Sequence, residues 1–368
     1  MHDDDELLAW LTLLRAPGVG GGMLRALLRE AGSACAACAD IRKFRRQAGP
    51  GRVALEQAAL DWIERPDPAR LDADLAWLAA PGHRLLRFDE PDFPPQLENI
   101  AAPPAALFVA GDPATLLMPQ VAIVGARSAP AQGLATARDF ARTFSRAGLV
   151  ITSGMADGID GAAHAGALEA GGSTVAVVGT GPDLIYPRKH GELAANIIQH
   201  GVIVSESPPG TEARPHHFPR RNRIIAGLAL GTLVVEAGLQ SGSLITARLA
   251  AEAGREVFAL PGSIHNPLAK GCHRLIRDGA RLVETAAEVI EALAPAARAL
   301  GGDLRARLDA EGAPPVVSVD GPSVRAQDPD YAALLAALGD APAALDELVE
   351  RTGLGAAAVS SMLLLLEL

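Results

Sequence analysis

The stretch "VAIVGARSAP" occupies residues 121–130. Its first four residues are apolar and three of them are β-branched, which suits a strand buried on both faces. Gly125 ends the run, and a helical pattern comes next in "AQGLATARDFARTFSRAG" at 131–148. The same unit then recurs. Short apolar runs "LVITSG" (149–154), "STVAVVGTG" (173–181), "VIVSES" (202–207), "TLVVEAG" (232–238) and "EVFALPG" (256–262) alternate with helical segments of about three to four turns. Strand and helix in strict alternation predict a parallel sheet covered by helices on both faces.

In such a sheet, ligands bind outside the carboxyl ends of the strands. The residues just beyond each predicted strand therefore form the candidate site. The first strand delivers Gly125, Arg127 and Ser128. The second delivers Ser153 and Gly154. The third delivers Gly179, with Arg188 and Lys189 just beyond Tyr186-Pro187. The fourth runs through Ser205-Glu206-Ser207 into Arg220, Arg221, Asn222 and Arg223. The fifth leads to Ser241, Gly242 and Ser243, which open a helix. Glycine lets backbone amides approach a ligand, serine adds a hydroxyl, and helix N-termini favour anions. One glycine-serine turn is ordinary turn chemistry; a full row with cations suits phosphate.

The ligand class narrows further. The first strand is followed by G-A-R-S-A-P, not the dinucleotide fingerprint, and neither a P-loop nor a G-x-S-x-G nucleophile elbow occurs. A row spread over several strands suits an extended phosphate backbone better than one compact nucleotide. The chain carries 43 acidic against 33 basic residues, a formal net charge of -10. Yet residues 213–235 contain no acid and hold Arg214, Arg220, Arg221 and Arg223, so a local basic patch survives inside an acidic total. Arg220, Arg221 and Arg223 cannot all point one way on a helix. One or two are expected to face the ligand and another to pair with an acid such as Glu206 or Glu236.

The rest of the chain reads outward from this centre. Its 368 residues suffice for two or three domains, and with 49% hydrophobic but only 4% aromatic residues the core must be aliphatic. Residues 1–80 read as a helical domain, in which "PGVGGG" (17–22) separates two helices. That arrangement is either a plain packing unit or a helix-hairpin-helix whose turn amides meet a phosphate. Residues 81–118 are proline-rich and read as an ordered connector at the start of a sheet domain spanning 81–294. Residues 295–329 read as a linker, and 330–368 as three short helices of a winged-helix-like module. Cys35, Cys38 and Cys272 make no disulfide framework, and Cys35-Ala-Ala-Cys38 lacks the second pair of a metal site. His216 and His217 lack a completing ligand and read as auxiliary phosphate donors. His164 reads as a packing histidine, and Asp160 as a cap or an orienting group. No cofactor and no metal are expected. The acidic start "MHDDDELLAW" is no signal peptide, and no apolar run reaches membrane length, so a cytoplasmic protein is expected.

Several long motifs carry a resemblance. "VAIVGARSAP", "SGMADGIDGAAHAGAL", "GTGPDLIYPRKH", "SESPPGTEARPHHFPRRNRIIAGLA", "VVEAGLQSGSLITARLAAEAGREVFALPG" and "GCHRLIRDGARLVE" resemble the DNA-processing protein A family, also called DprA or Smf, over roughly residues 85–290. The resemblance implies an extended Rossmann-like domain that binds single-stranded DNA. It implies loading of RecA recombinase onto incoming strands during natural transformation, displacement of single-strand-binding protein, homodimerisation through the Rossmann domain, and no enzymatic activity. It also implies DNA contacts by Arg127 and by Arg188, with Lys189 beside it. Three positions depart from the pattern. Asp157 stands where a neutral or basic residue is expected, Cys272 replaces a small polar residue, and the segment after Gly355 has no Lys or Arg. The C-terminal module is therefore expected to bind protein or pack internally; deleting 330–368 should leave strand affinity nearly intact. A more distant likeness of "VVEAGLQSGSLITA" to lysine-decarboxylase-like phosphoribohydrolases implies the alternative, a nucleotide-cleaving enzyme with Glu236 as acid and Arg221 as its partner, although that family's phosphate turn is missing. A pure RecA scaffold without its own DNA contact conflicts with the basic rim.

Overall fold

The structure is a computed structural model, which describes residues 2–44, 55–310, 333 and 345–354. The predicted strands all form. They are β3 (Gln120–Val124), β4 (Val150–Ser153), β5 (Thr174–Val177), β6 (Val202–Ser205), β7 (Gly231–Val234) and β8 (Glu256–Ala259). All six pair in parallel, in the order β6-β5-β4-β3-β7-β8. Every residue of β3 to β7 is buried, as continuous apolar runs between two helix layers require. The order reverses beside β3, so the switch-point crevice opens outside the carboxyl ends of β3 and β7.

The sheet is larger than six strands, and it is mixed. A short β9 (Arg281–Leu282) extends it in parallel beyond β8. At the other edge, the proline-rich stretch contributes β1 (His83–Arg87) and β2 (Ala106–Gly111), which pair antiparallel with each other and, through β2, with β6. The sheet is therefore parallel in its centre and antiparallel at one edge. The prolines punctuate the segment between these strands and leave the strands themselves free of proline, as pairing demands.

Those two strands are a platform for the N-terminal helices: α1 (His2–Leu14), α2 (Gly21–Ala31), α3 (Ala34–Ala39), α4 (Gln57–Glu64) and α5 (Pro68–Leu78). Their core, around Trp10, Leu11, Leu13, Leu24 and Leu27, is continuous with Leu85, Ala106 and Phe108 of the strands. Polar ties reinforce it. The Arg25 guanidinium donates to both oxygens of Glu98 at 2.7 Å and to the Pro104 carbonyl at 3.0 Å. Arg15 donates to both oxygens of the buried Asp74 at 2.6 Å and to the Pro209 carbonyl at 2.8 Å.

The remaining helices flank the sheet: α6 (Ala131–Arg146), α7 (Ile159–Glu169), α8 (Gly191–His200), α9 (His217–Leu228), α10 (Ser243–Glu252), α11 (Lys270–Arg277) and α12 (Ala286–Ala310). Helix α12 corrects the expected linker: its first half, 295–310, is helical and runs through Pro295. Proline removes one intrahelical hydrogen bond, and the alanines around it supply strong helix propensity. Residues 311–329 of the expected linker lie outside the described residues. So do the first of the three C-terminal helices, apart from Ala333, and the last; the middle one forms as α13 (Leu345–Thr352). The chain divides into two compact units, 1–302 and 303–368.

Candidate nucleic-acid interface

The switch-point crevice is a cleft of about 860 Å³. It is lined by Gly125 to Ser128 after β3, by Ser241 to Ser243 at the start of α10, and by Phe218, Arg221 and Asn222 of α9. The structure thus brings together eight of the fifteen predicted site residues: Gly125, Arg127, Ser128, Arg221, Asn222, Ser241, Gly242 and Ser243. The Ser241 and Ser243 hydroxyls lie 2.7 Å apart at the start of α10, where helix amides favour an anion.

Three of the predicted phosphate donors serve the framework instead. Ser153 is buried, and its hydroxyl donates to the Ile123 carbonyl at 2.6 Å, bracing β4 against β3. Gly154 is buried beneath Arg221; a Cβ there would lie 2.5 Å from the guanidinium. Gly179 is buried too and packs under Phe218. In these turns the small residues make room for a neighbour within the protein.

The arginines of α9 separate by role. Arg221 points inward, donating to the carbonyls of Gly154 and Val177. Burial lowers its pKa to about 10, against the opposing pull of Asp160. Burial likewise pushes the Asp160 carboxyl up, against Arg221 and the amides of Ala156 and Gly154, which donate to it. Asp160 therefore orients the loop after β4. Arg223 donates to Glu206 at 2.6 Å and is mostly covered. Arg220, with its side chain 53% exposed, reaches the same carboxylate at 3.3 Å. The expected pairing of an arginine with Glu206 forms twice. Asn222 links α9 to the turn before α10, donating to the Gly242 carbonyl at 3.3 Å.

The free positive charge lies elsewhere on the rim. Arg127 and Arg188 are exposed and, among the described residues, form no ion pair. Lys189 is exposed but pairs with Asp157 at 2.8 Å. Arg188 and Lys189 sit on a 3-10 turn, Arg188–His190, outside the cleft lining. Two aromatics that sequence reasoning passed over complete the site. Phe218 lies under the Arg127 guanidinium, 5.5 Å from ring centre to carbon, and Tyr186 tilts against Phe218 at 5.5 Å. Both line the cleft. Their signal was present: the chain has only 8 Phe and 2 Tyr, and these two stand within basic runs.

The other candidates resolve as packing groups. His164 is fully buried, with its Nδ1 2.7 Å from the Thr174 hydroxyl, and burial lowers its pKa to about 3. Burial raises the Cys38 thiol to about 12 and the Cys272 thiol to about 11. No group of metal-ligating side chains occurs among the described residues. His216 and His217 contact each other edge to face at 4.5 Å, and burial lowers the His217 pKa. In the "PGVGGG" turn Pro17, Gly18 and Gly22 are exposed, while Gly21, at the start of α2, is closely packed: a Cβ on it would lie 2.7 Å from the Pro103 carbonyl and 3.0 Å from Glu206. The alternative enzymatic pair is not assembled. Arg221 is held by Gly154 and Val177, whereas the Glu236 carboxylate packs against Gly133 of α6.

Three family models match successive parts of the chain. A family model described as DNA recombination-mediator protein A matches residues 84–294. A DprA-like N-terminal HHH domain model matches 4–64, and a DprA winged helix domain model matches 319–368. Protein Smf of Escherichia coli (strain K12) is 48% identical over 224 residues, 61% of this chain and 60% of that protein. The match thus spans less than two thirds of that relative's length. DNA processing protein DprA of Bacillus subtilis (strain 168) is 42% identical over 226 residues, 61% of this chain and 76% of that protein. The X-ray structure of DprA from Streptococcus pneumoniae superposes with a TM-score of 0.68 at 35% identity, covering 77% of this chain and 97% of that one. A Helicobacter pylori DNA processing protein A structure, described by its single-stranded DNA binding mode, gives 0.53 at 28% identity, covering 58% of this chain and 96% of that one. With its matched central domain and like-folded relatives, the chain belongs to the DNA recombination-mediator protein A family.

Proposed function

We propose that this protein binds single-stranded DNA along the strand-end rim and acts without catalysis, handing the strand to RecA. The observation that carries the reading is the pairing state of the rim. Arg127 stands exposed, without an ion pair among the described residues, over Phe218 in the cleft, while the deeper arginine holds the fold. An unpaired cation above an aromatic offers a phosphate contact and a stacking surface at one point. Gly125, Ser128, Ser241, Gly242 and Ser243 supply neutral donors beside it, and Arg188, exposed on its turn outside the cleft, extends the charge outward.

Mostly electrostatic contact suits a mediator, because such binding is sequence-tolerant and reversible. Two exposed apolar side chains support the homodimer. Leu239 is 57% exposed and Ile264 66%, on the loops beyond the neighbouring strands β7 and β8. No described helix is long and apolar enough to cross a membrane, and we place the protein in the cytoplasm, where RecA and incoming strands meet. Fluorescence anisotropy with labelled oligo-dT tests the binding site. Arg127→Ala should weaken binding about tenfold, the scale of one charge-assisted contact. Arg188→Ala should weaken it less, because it stands outside the cleft. Wild-type affinity in both variants would refute the rim. RecA filament growth on strands coated with single-strand-binding protein, with and without this protein, tests the handover.

A further inference from the structure

The loop after β4 carries an acid into the middle of the basic rim. Asp157 Oδ1 lies 2.8 Å from the Lys189 ammonium and 3.4 Å from His190 Nε2, so both basic side chains converge on one carboxylate. Backbone constraint holds it there. Gly158, the next residue, has φ of +78°, and a Cβ on it would lie 2.2 Å from the Ala126 carbonyl oxygen and 2.6 Å from that of Arg127. The loop is therefore pressed against the segment that bears Arg127. The carboxylate thus sits against Lys189 and His190, on a loop whose next residue packs on the backbone that bears Arg127.

From this geometry we propose that Asp157 is a built-in competitor for the strand: it occupies Lys189 in the unbound protein, and a DNA phosphate must displace it. The proposal rests on the reading that single-stranded DNA lies on this rim. The pair is reached from the lysine side: the Lys189 side chain is 68% exposed and that of Asp157 38%, with Oδ1 itself covered. Glu206 differs in this respect. It is largely covered between Arg220, Arg223 and the start of α2, so it fastens elements together. Displacing Asp157 costs one exposed ion pair and leaves its charge near the incoming phosphate. A ligand with a single phosphate gains one contact for that cost, whereas a strand gains several along the rim. Asp157 thereby favours strands over free nucleotides and keeps strand binding weak enough to reverse.

The test is the affinity of Asp157→Asn for labelled oligo-dT across a salt series, with Asp157→Ala as a second variant. Both should bind about threefold more tightly at low salt, the scale of an exposed ion pair. Their salt dependence should steepen by up to about 0.7 in log–log slope, because no displaced carboxylate is left to take up a cation as Lys189 neutralises its phosphate. In a Lys189→Ala background the gain should shrink to less than half. Affinity equal to or weaker than wild type in both variants, with unchanged melting temperature, would overturn the proposal. Arg127→Ala, measured in parallel, separates the two levels. If it and Arg188→Ala both bind as wild type does, the rim reading itself fails. If it loses affinity while the Asp157 variants gain none, only the competitor role fails.

Discussion

At the scale of single residues, an arginine's neighbours decide its role. Arg220, Arg221 and Arg223 stand within four residues of sequence, yet one is a strut and the other two share a carboxylate. The acid-free run around them was legible in the sequence, and so was the expectation that they must diverge. Which one turns inward was not legible, because that depends on Gly154, 67 positions away, leaving space for a guanidinium. The same holds for Ser153, whose bond to Ile123 spans 30 positions. Arg221→Ala should therefore act on stability. It removes the donor to the buried Gly154 and Val177 carbonyls and the positive charge that opposes the burial of Asp160, a loss of about 3 kcal/mol. Chemical denaturation should show this, whereas Arg127→Ala should leave the midpoint unchanged. Equal stability in the two variants would contradict the division of roles.

At the scale of elements, the sequence showed what repeats and concealed what does not. Six strands and their helices share one pattern of apolar runs and turns, and all six form. Strands β1 and β2 were hidden among prolines, because β2 joins the sheet by an antiparallel, long-range pairing with β6 and β1 joins only through β2. Helix α12 was hidden because Pro295 and alanine-rich composition read as a linker, although alanine favours helix. The packing of α7 on the sheet gives a pH prediction. His164 is held neutral there, with its pKa lowered from 6.5 to about 3 by burial. The unfolded chain therefore binds a proton that the folded chain refuses between these values. Stability is full above about pH 6.5 and is lost as pH falls toward 3. Between pH 7 and pH 5 the loss should be about 2 kcal/mol in urea denaturation. His164→Asn should flatten that dependence; an unchanged pH slope in the variant would contradict it.

At the scale of the molecule, an acidic chain carries two exposed arginines, Arg127 and Arg188, beyond the carboxyl ends of its central strands. The N-terminal helices are fastened to the far strands and to the loop before α9 by Arg15 and Arg25, so they brace the rim without lining the main cleft. The central claim is that a single strand lies across the crevice between β3 and β7. Hydrogen–deuterium exchange with and without oligo-dT tests it most directly. Protection should appear in residues 125–128 and 238–243 and in the segment around Phe218, with little change in α1 to α5. Protection confined to residues 1–80 or 330–368, with the crevice unchanged, would contradict the account.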